Sequence, residues 1–95
     1  MTTEEHFGCF VKDWILPHIA SGAKTLEIRL NRREWQVVNV GTRLWFNHAV
    51  TRRVTTIRSY STFDEMLRSE DPHRILPGET PERILRTLRR LYGEL

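Results

Sequence analysis

Lys24, Glu27 and Arg29 fall within six consecutive positions, in the stretch SGAKTLEIRL over residues 21–30. An arginine offers a planar fork of donors to a carbonyl or phosphate, and a carboxylate accepts from an exocyclic amine. A lysine is a movable cation or, once desolvated, a base. On an extended segment residues two apart share a face, so Glu27 and Arg29 project together with Thr25. Such a pair alone is an ordinary solvated ion pair. Lys24, arriving from a glycine turn at Gly22, lets the three converge on one concave surface and orient a polar ligand. Arg32, Arg33 and Trp35 follow closely enough to add phosphate contacts and a ring on which a base can stack. Asn47, after a later strand, is placed to enter the same cleft, with no metal among the candidate groups.

The elements that position these groups follow from local pattern. Phe7, Cys9 and Val11 alternate with Gly8 and Phe10, predicting a short strand. Asp13 is the expected N-cap of a helix carrying Trp14, Ile15, His18 and Ile19, which Gly22 ends in the left-handed conformation. Over residues 25–30, Leu26, Ile28 and Leu30 take one face and Thr25, Glu27 and Arg29 the other, the clearest strand in the chain. A polar connection over 31–39 contains Trp35, and Gly41 turns the chain into a strand over 43–47. Residues 50–60 are rich in β-branched side chains, but Val54 and Ile57 have opposite parity, so one long strand with an irregularity is predicted. Thr62 and Glu65 fit a capping box ahead of Phe63, Met66 and Leu67. Thr80 and Pro81 open a last helix with Ile84, Leu85, Leu88, Leu91 and Tyr92 on one face. About four strands and three helices, interleaved, make an α+β fold.

With 95 residues, 39% of them hydrophobic and 28% charged, the chain is expected to be one domain over 1–95, with residues 1–5 a flexible tail. Fifteen Lys and Arg against twelve Asp and Glu leave a formal charge of +3, and fourteen of the fifteen cations lie after residue 20. Clusters at Arg29, Arg32 and Arg33, at Arg52, Arg53 and Arg58, and at Arg83, Arg86, Arg89 and Arg90 either merge into a surface for a phosphate-bearing partner or form ordinary solvated faces. Cys9 is the single cysteine, so no internal disulfide forms, and the histidines lack zinc-site spacing; no metal or other cofactor is expected. Residues 1–8 lack the marks of a signal peptide and no run approaches the roughly 18 apolar residues of a membrane span, so a cytoplasmic location is expected.

Gly22, Lys24, Glu27 and Arg29 together meet the signature Gly-x-Lys-x-x-Glu-x-Arg, and in this the sequence resembles the ASCH family. The stretches EIRLN, LWFN after a glycine turn, IRSYSTFDEML and ILPGETPERILRTLRRLY follow in the order of its small stand-alone members. The resemblance implies a PUA-like fold, a small bent β-barrel with about three flanking helices and a cleft lined by the signature residues. It further implies an association with RNA, a nucleotide or a modified nucleoside. Some members are amidohydrolases of N4-acetylcytidine, others ribonucleases, and the family also includes interaction modules associated with transcriptional coactivators. As an enzyme this chain would use Lys24 and Glu27, with Glu79 as a separate carboxylate, although Glu27 stands where the amidohydrolases carry a nucleophilic threonine. Binding is therefore placed ahead of catalysis. The family's final closing strand has no counterpart before Leu95. The open edge either stays incomplete, belongs to a truncated chain, or is paired by another copy or a partner strand.

Overall fold

A computed structural model describes residues 6–94, and the tail expected over 1–5 lies outside them. The strands β1 (His6–Cys9), β2 (Arg43–Phe46) and β3 (Val50–Arg53) form a three-stranded sheet in that order. β1 runs parallel to β2, placing Cys9 opposite Phe46, and β3 returns antiparallel, with Val50 opposite Phe46. This register buries Cys9, Leu44 and Phe46 on one face while Trp45, between Gly8 and Thr51, is exposed on the other.

The turn joining β2 to β3 places both Asn47 and His48 in the left-handed region, at φ of 52° and 56°. Its twist matches that of the strands it joins. The side chain of Asn47 holds the turn against the end of β1, donating to the Val11 carbonyl and accepting from the Val11 N–H, both at 2.8 Å.

A 3₁₀ turn over Asp13–Ile15 leads into α1 (Leu16–Ser21). Asp13 lies inside that turn and makes no cap, because the chain enters helical geometry at Asp13 itself, one residue earlier than expected, which leaves Lys12 in the cap position. Gly22 ends α1 at φ 84°, as its position predicts. A second 3₁₀ turn covers Arg33–Trp35. Ahead of α2 (Phe63–Ser69) the Thr62 hydroxyl accepts from the Glu65 N–H at 3.1 Å. The reciprocal bond slips by one residue, Glu65 accepting from the Ser61 N–H. The unforeseen α3 (Pro72–Ile75) is capped by Asp71, and α4 (Pro81–Tyr92) by Thr80, whose hydroxyl accepts from Arg83. On α4 Ile84 and Leu88 are buried, but Leu91, expected on that face, is exposed.

Two apolar clusters hold these elements. Phe63, Met66, Ile75, Ile84 and Leu88 join the helices, with Leu26, Ile28 and Leu30 packed against them. Cys9, Ile19, Leu44 and Phe46 join the sheet to α1, with Phe7, Trp35 and Val54 alongside. Each fully buried side chain of this kind contributes about 1.5–3 kcal/mol.

The sheet does not close into the expected barrel among the described residues. Residues 25–30 and 54–60, read as strand from their pattern, carry no ladder pairing, and the long strand over 50–60 is paired only over Val50–Arg53. Parity was still informative, because Val54 packs on the sheet cluster and Ile57, of opposite parity, is exposed.

Cys9 reports on this core. Burial pushes its thiol up from 9.0 to about 11, with Arg29 pulling weakly the other way. An acid whose folded value is raised favours folding below its unfolded value, and that advantage disappears as pH rises through the folded one. The contribution of Cys9 is thus expected to fall between pH 9 and about 11. A disulfide reagent at neutral pH should label it only as fast as the domain opens, and Cys9→Ala should flatten the alkaline limb of a melting profile. Immediate stoichiometric labelling of the folded protein would contradict this placement.

Candidate functional site

Segment 24–31 and segment 52–62, which continues from the paired end of β3 into an unladdered run, form the walls of a groove of about 560 Å³, floored by members of both apolar clusters. Gly22 releases the chain from α1, and α3 then takes hold of it. The Arg74 carbonyl accepts from the N–H groups of Thr25 and Leu26 at 3.0 and 3.1 Å. Leu26, Ile28 and Leu30 turn toward the helices, so the polar residues between them turn away.

Lys24 is buried, at 7% exposure, and its ammonium points inward. Nζ donates to the Leu26 carbonyl at 2.5 Å and the Ile75 carbonyl at 2.7 Å, and lies 3.3 Å from Glu27 Oε1. Three acceptors match the three N–H groups of the charged form. Burial lowers the lysine below its ordinary value, and Glu27 offsets part of that loss.

Glu27 bridges the two cations. Its other oxygen, Oε2, accepts from Arg29 Nε at 3.3 Å and Nη2 at 3.0 Å. Nη2 also donates to the Phe10 carbonyl at 2.8 Å, and the guanidinium carbon lies 4.8 Å from the centre of the Trp35 ring. Trp35 is itself backed by Phe7, with ring centres 4.7 Å apart. Arg29 is thus fixed on three sides by a carboxylate, a carbonyl and an aromatic face. Its Nη1 edge, with two N–H groups, has no acceptor among the described residues.

The structure therefore brings together Lys24, Glu27, Arg29 and Trp35. Arg32 and Arg33 are exposed beside Trp35 but do not line the groove. Asn47 is engaged at both ends of its amide by Val11, because its left-handed turn aims the side chain back at β1. Glu79 also lies off the groove walls, and its carboxylate faces Arg83 at 3.6 Å across the start of α4. Arginines of the other clusters are engaged away from the signature residues, Arg52 donating to the Ala20 carbonyl and Arg89 pairing with Asp64 and Glu94. Among the described residues no three His, Cys, Asp or Glu side chains gather to hold a metal ion, and no helix is long and apolar enough to cross a membrane.

At the far wall, Glu70 accepts from Arg58 Nε at 2.6 Å and Nη2 at 2.8 Å, and from the Tyr60 hydroxyl at 2.6 Å. This cluster was not foreseen, though Arg58 and Tyr60 stand two apart on an extended run and so share a face. Arg58 first, then Tyr60, holds the Glu70 carboxyl below its ordinary 4.5. A carboxylate depressed in this way favours folding above its unfolded value and loses that contribution as pH falls through the folded one. Glu70→Gln should therefore flatten the loss of stability below pH 4.5. Melting curves of variant and wild type with the same acid limb would contradict it.

A model of the ASCH domain matches residues 11–92. The chain is similar to the hypothetical protein PH0355, known from a crystal structure, at 27% identity and a TM-score of 0.85, over 92% of this chain and 82% of that one. It is likewise similar to protein PF0455 from Pyrococcus furiosus, known from a solution NMR structure, at 28% identity and a TM-score of 0.78, over 94% and 83%. A comparison with curated proteins found no match.

Proposed function

The chain belongs to the ASCH domain family, and from that premise we propose that it binds RNA or a free nucleotide at the groove wall, through Arg29. The observation that carries this reading is the fixed guanidinium with one edge left over. Held by Glu27, the Phe10 carbonyl and Trp35, Arg29 gives up no rotamer freedom on meeting a ligand, and the Nη1 edge offers two N–H groups to a phosphate or a base carbonyl. Lys24 and Glu27 are positioning residues in this reading, since each already satisfies the other or a backbone carbonyl. Trp35 supports the arginine and is not itself the stacking surface. Exposed Arg32 and Arg33 add charge for a phosphate backbone.

A hydrolytic role for Lys24 as general base ranks lower in this reading, because three acceptors already engage Nζ and Glu27 offsets part of the lowering that burial causes. The test is a titration of the protein with a fluorescent mixed-sequence oligoribonucleotide and with mononucleotides. Saturable binding of the oligonucleotide is expected. Three phosphate contacts from Arg29, Arg32 and Arg33 would weaken it by about twentyfold between about 50 and 200 mM salt, at roughly 0.7 decade per contact per decade of salt. Absence of saturation at low salt for both ligand types would overturn the proposal.

A further inference from the structure

We propose that the outer face of the sheet, where Phe10, His48 and Trp45 gather, is a platform on which successive bases of a single-stranded RNA stack beside Arg29. This rests on the RNA reading of Arg29 and narrows its ligand to a single strand several nucleotides long.

The rings are the first ground. The core side chains of the sheet take one face, and the other shows Trp45 at 43% exposure. The ring of His48 stands between Trp45 and Phe10 and is steeply inclined to both, its centre 5.1 Å from that of Trp45 at 84° and 5.5 Å from that of Phe10 at 73°. Phe10 is 66% exposed. The platform is continuous with the Arg29 site, because the Phe10 carbonyl accepts from Arg29 Nη2 at 2.8 Å. Asn47, bonded to Val11 at both ends of its amide, pins the turn that carries His48 beside Phe10.

Two positions run against what the fold alone favours. Gly8 lies within β1 directly opposite Trp45, with no positive φ and with nothing within 4 Å of where a Cβ would stand. Glycine weakens a strand there and an alanine would fit; what the glycine does is leave the flank of the indole bare, as at sites where a ligand comes close to the backbone. At His48 the reverse holds. Its φ of 56° is one that glycine adopts freely and a bulky side chain rarely does, yet a ring stands there. Each choice costs stability, and each serves an open surface edged with rings.

The chemistry of the face is the third ground. By register the strands present His6, Arg43, Thr51 and Arg53 around Gly8 and Trp45, with no carboxylate and no aliphatic side chain on this face of β1, β2 and β3 among the described residues. Rings and cations together fit a partner that offers flat faces and negative charge, which is single-stranded RNA. An apolar protein surface would have to desolvate two guanidinium groups without pairing them.

The test titrates wild type, Trp45→Leu, Gly8→Val and His48→Gly with a fluorescent mixed-sequence oligoribonucleotide at several salt concentrations, beside a thermal melt and a sedimentation run of each. Every variant is expected to bind more weakly by about fivefold or more, the loss of one stacked base. Trp45→Leu and Gly8→Val should keep the wild-type salt slope, since no phosphate contact is removed. Gly8→Val and His48→Gly should melt no lower than wild type. Wild-type affinity in all three variants would overturn the platform and leave Arg29 binding RNA on its own, whereas no binding by wild type would overturn both readings. A melting point that falls with affinity in Gly8→Val and His48→Gly would assign the two positions to the fold alone, and a wild-type dimer that Trp45→Leu returns to monomer would assign the face to a second copy; either result overturns the proposal.

Discussion

Lys24→Met is expected to lower stability by about 3–5 kcal/mol, the cost of breaking a buried ion pair from one side. Methionine keeps most of the volume but removes the donor that satisfies the Leu26 and Ile75 carbonyls and faces Glu27. The Glu27 carboxylate, at 17% exposure, then keeps only Arg29. For a small domain whose whole stability is of order 5–15 kcal/mol, that loss is a large share of the total, and at the low end of the range it leaves a visible unfolded fraction at room temperature. Urea denaturation of the single variants Lys24→Met and Glu27→Gln and of the double variant checks the mechanism. The double variant should be more stable than the sum of the two losses predicts, because no uncompensated carboxylate remains, with a coupling of about 1 kcal/mol or more. Strict additivity would mean that the two groups do not act as a pair.

Arg29→Lys is expected to weaken oligoribonucleotide binding tenfold or more, about 1.4 kcal/mol, while the formal charge stays the same. A lysine ammonium has no flat face to lie on Trp35, and it cannot bond Glu27 and Phe10 together while still presenting a second edge. Arg32→Lys, an exposed and charge-conserving change nearby, should cost much less. Equal effects at the two positions would reduce the site to diffuse electrostatics. Equal affinities for all three proteins would remove Arg29 from the interface.

Much of this was legible in the chain. Thr80 with Pro81, Thr62 with Glu65, and Gly22 each marked a helix end, because capping depends on residues within one turn. The alternation over 25–30 correctly sorted Leu26, Ile28 and Leu30 from Glu27 and Arg29. Pairing was not legible, since a ladder needs a partner at a distance, and neither this run nor 55–59 has one among the described residues. The signature spacing brought Lys24, Glu27 and Arg29 together but did not distribute their roles. That distribution depends on the Ile75 and Phe10 carbonyls, which arrive from distant parts of the chain. Asn47 and Glu79 read as polar groups near strand or helix ends, and in the fold their neighbours Val11 and Arg83 engage them first.

The most direct measurement of the central claim follows the side-chain ¹H–¹⁵N resonances of Arg29 while an oligoribonucleotide is added. They are predicted to move and saturate with the same Kd as the fluorescence titration. Saturable binding of the RNA with the Arg29 resonances unmoved would contradict it.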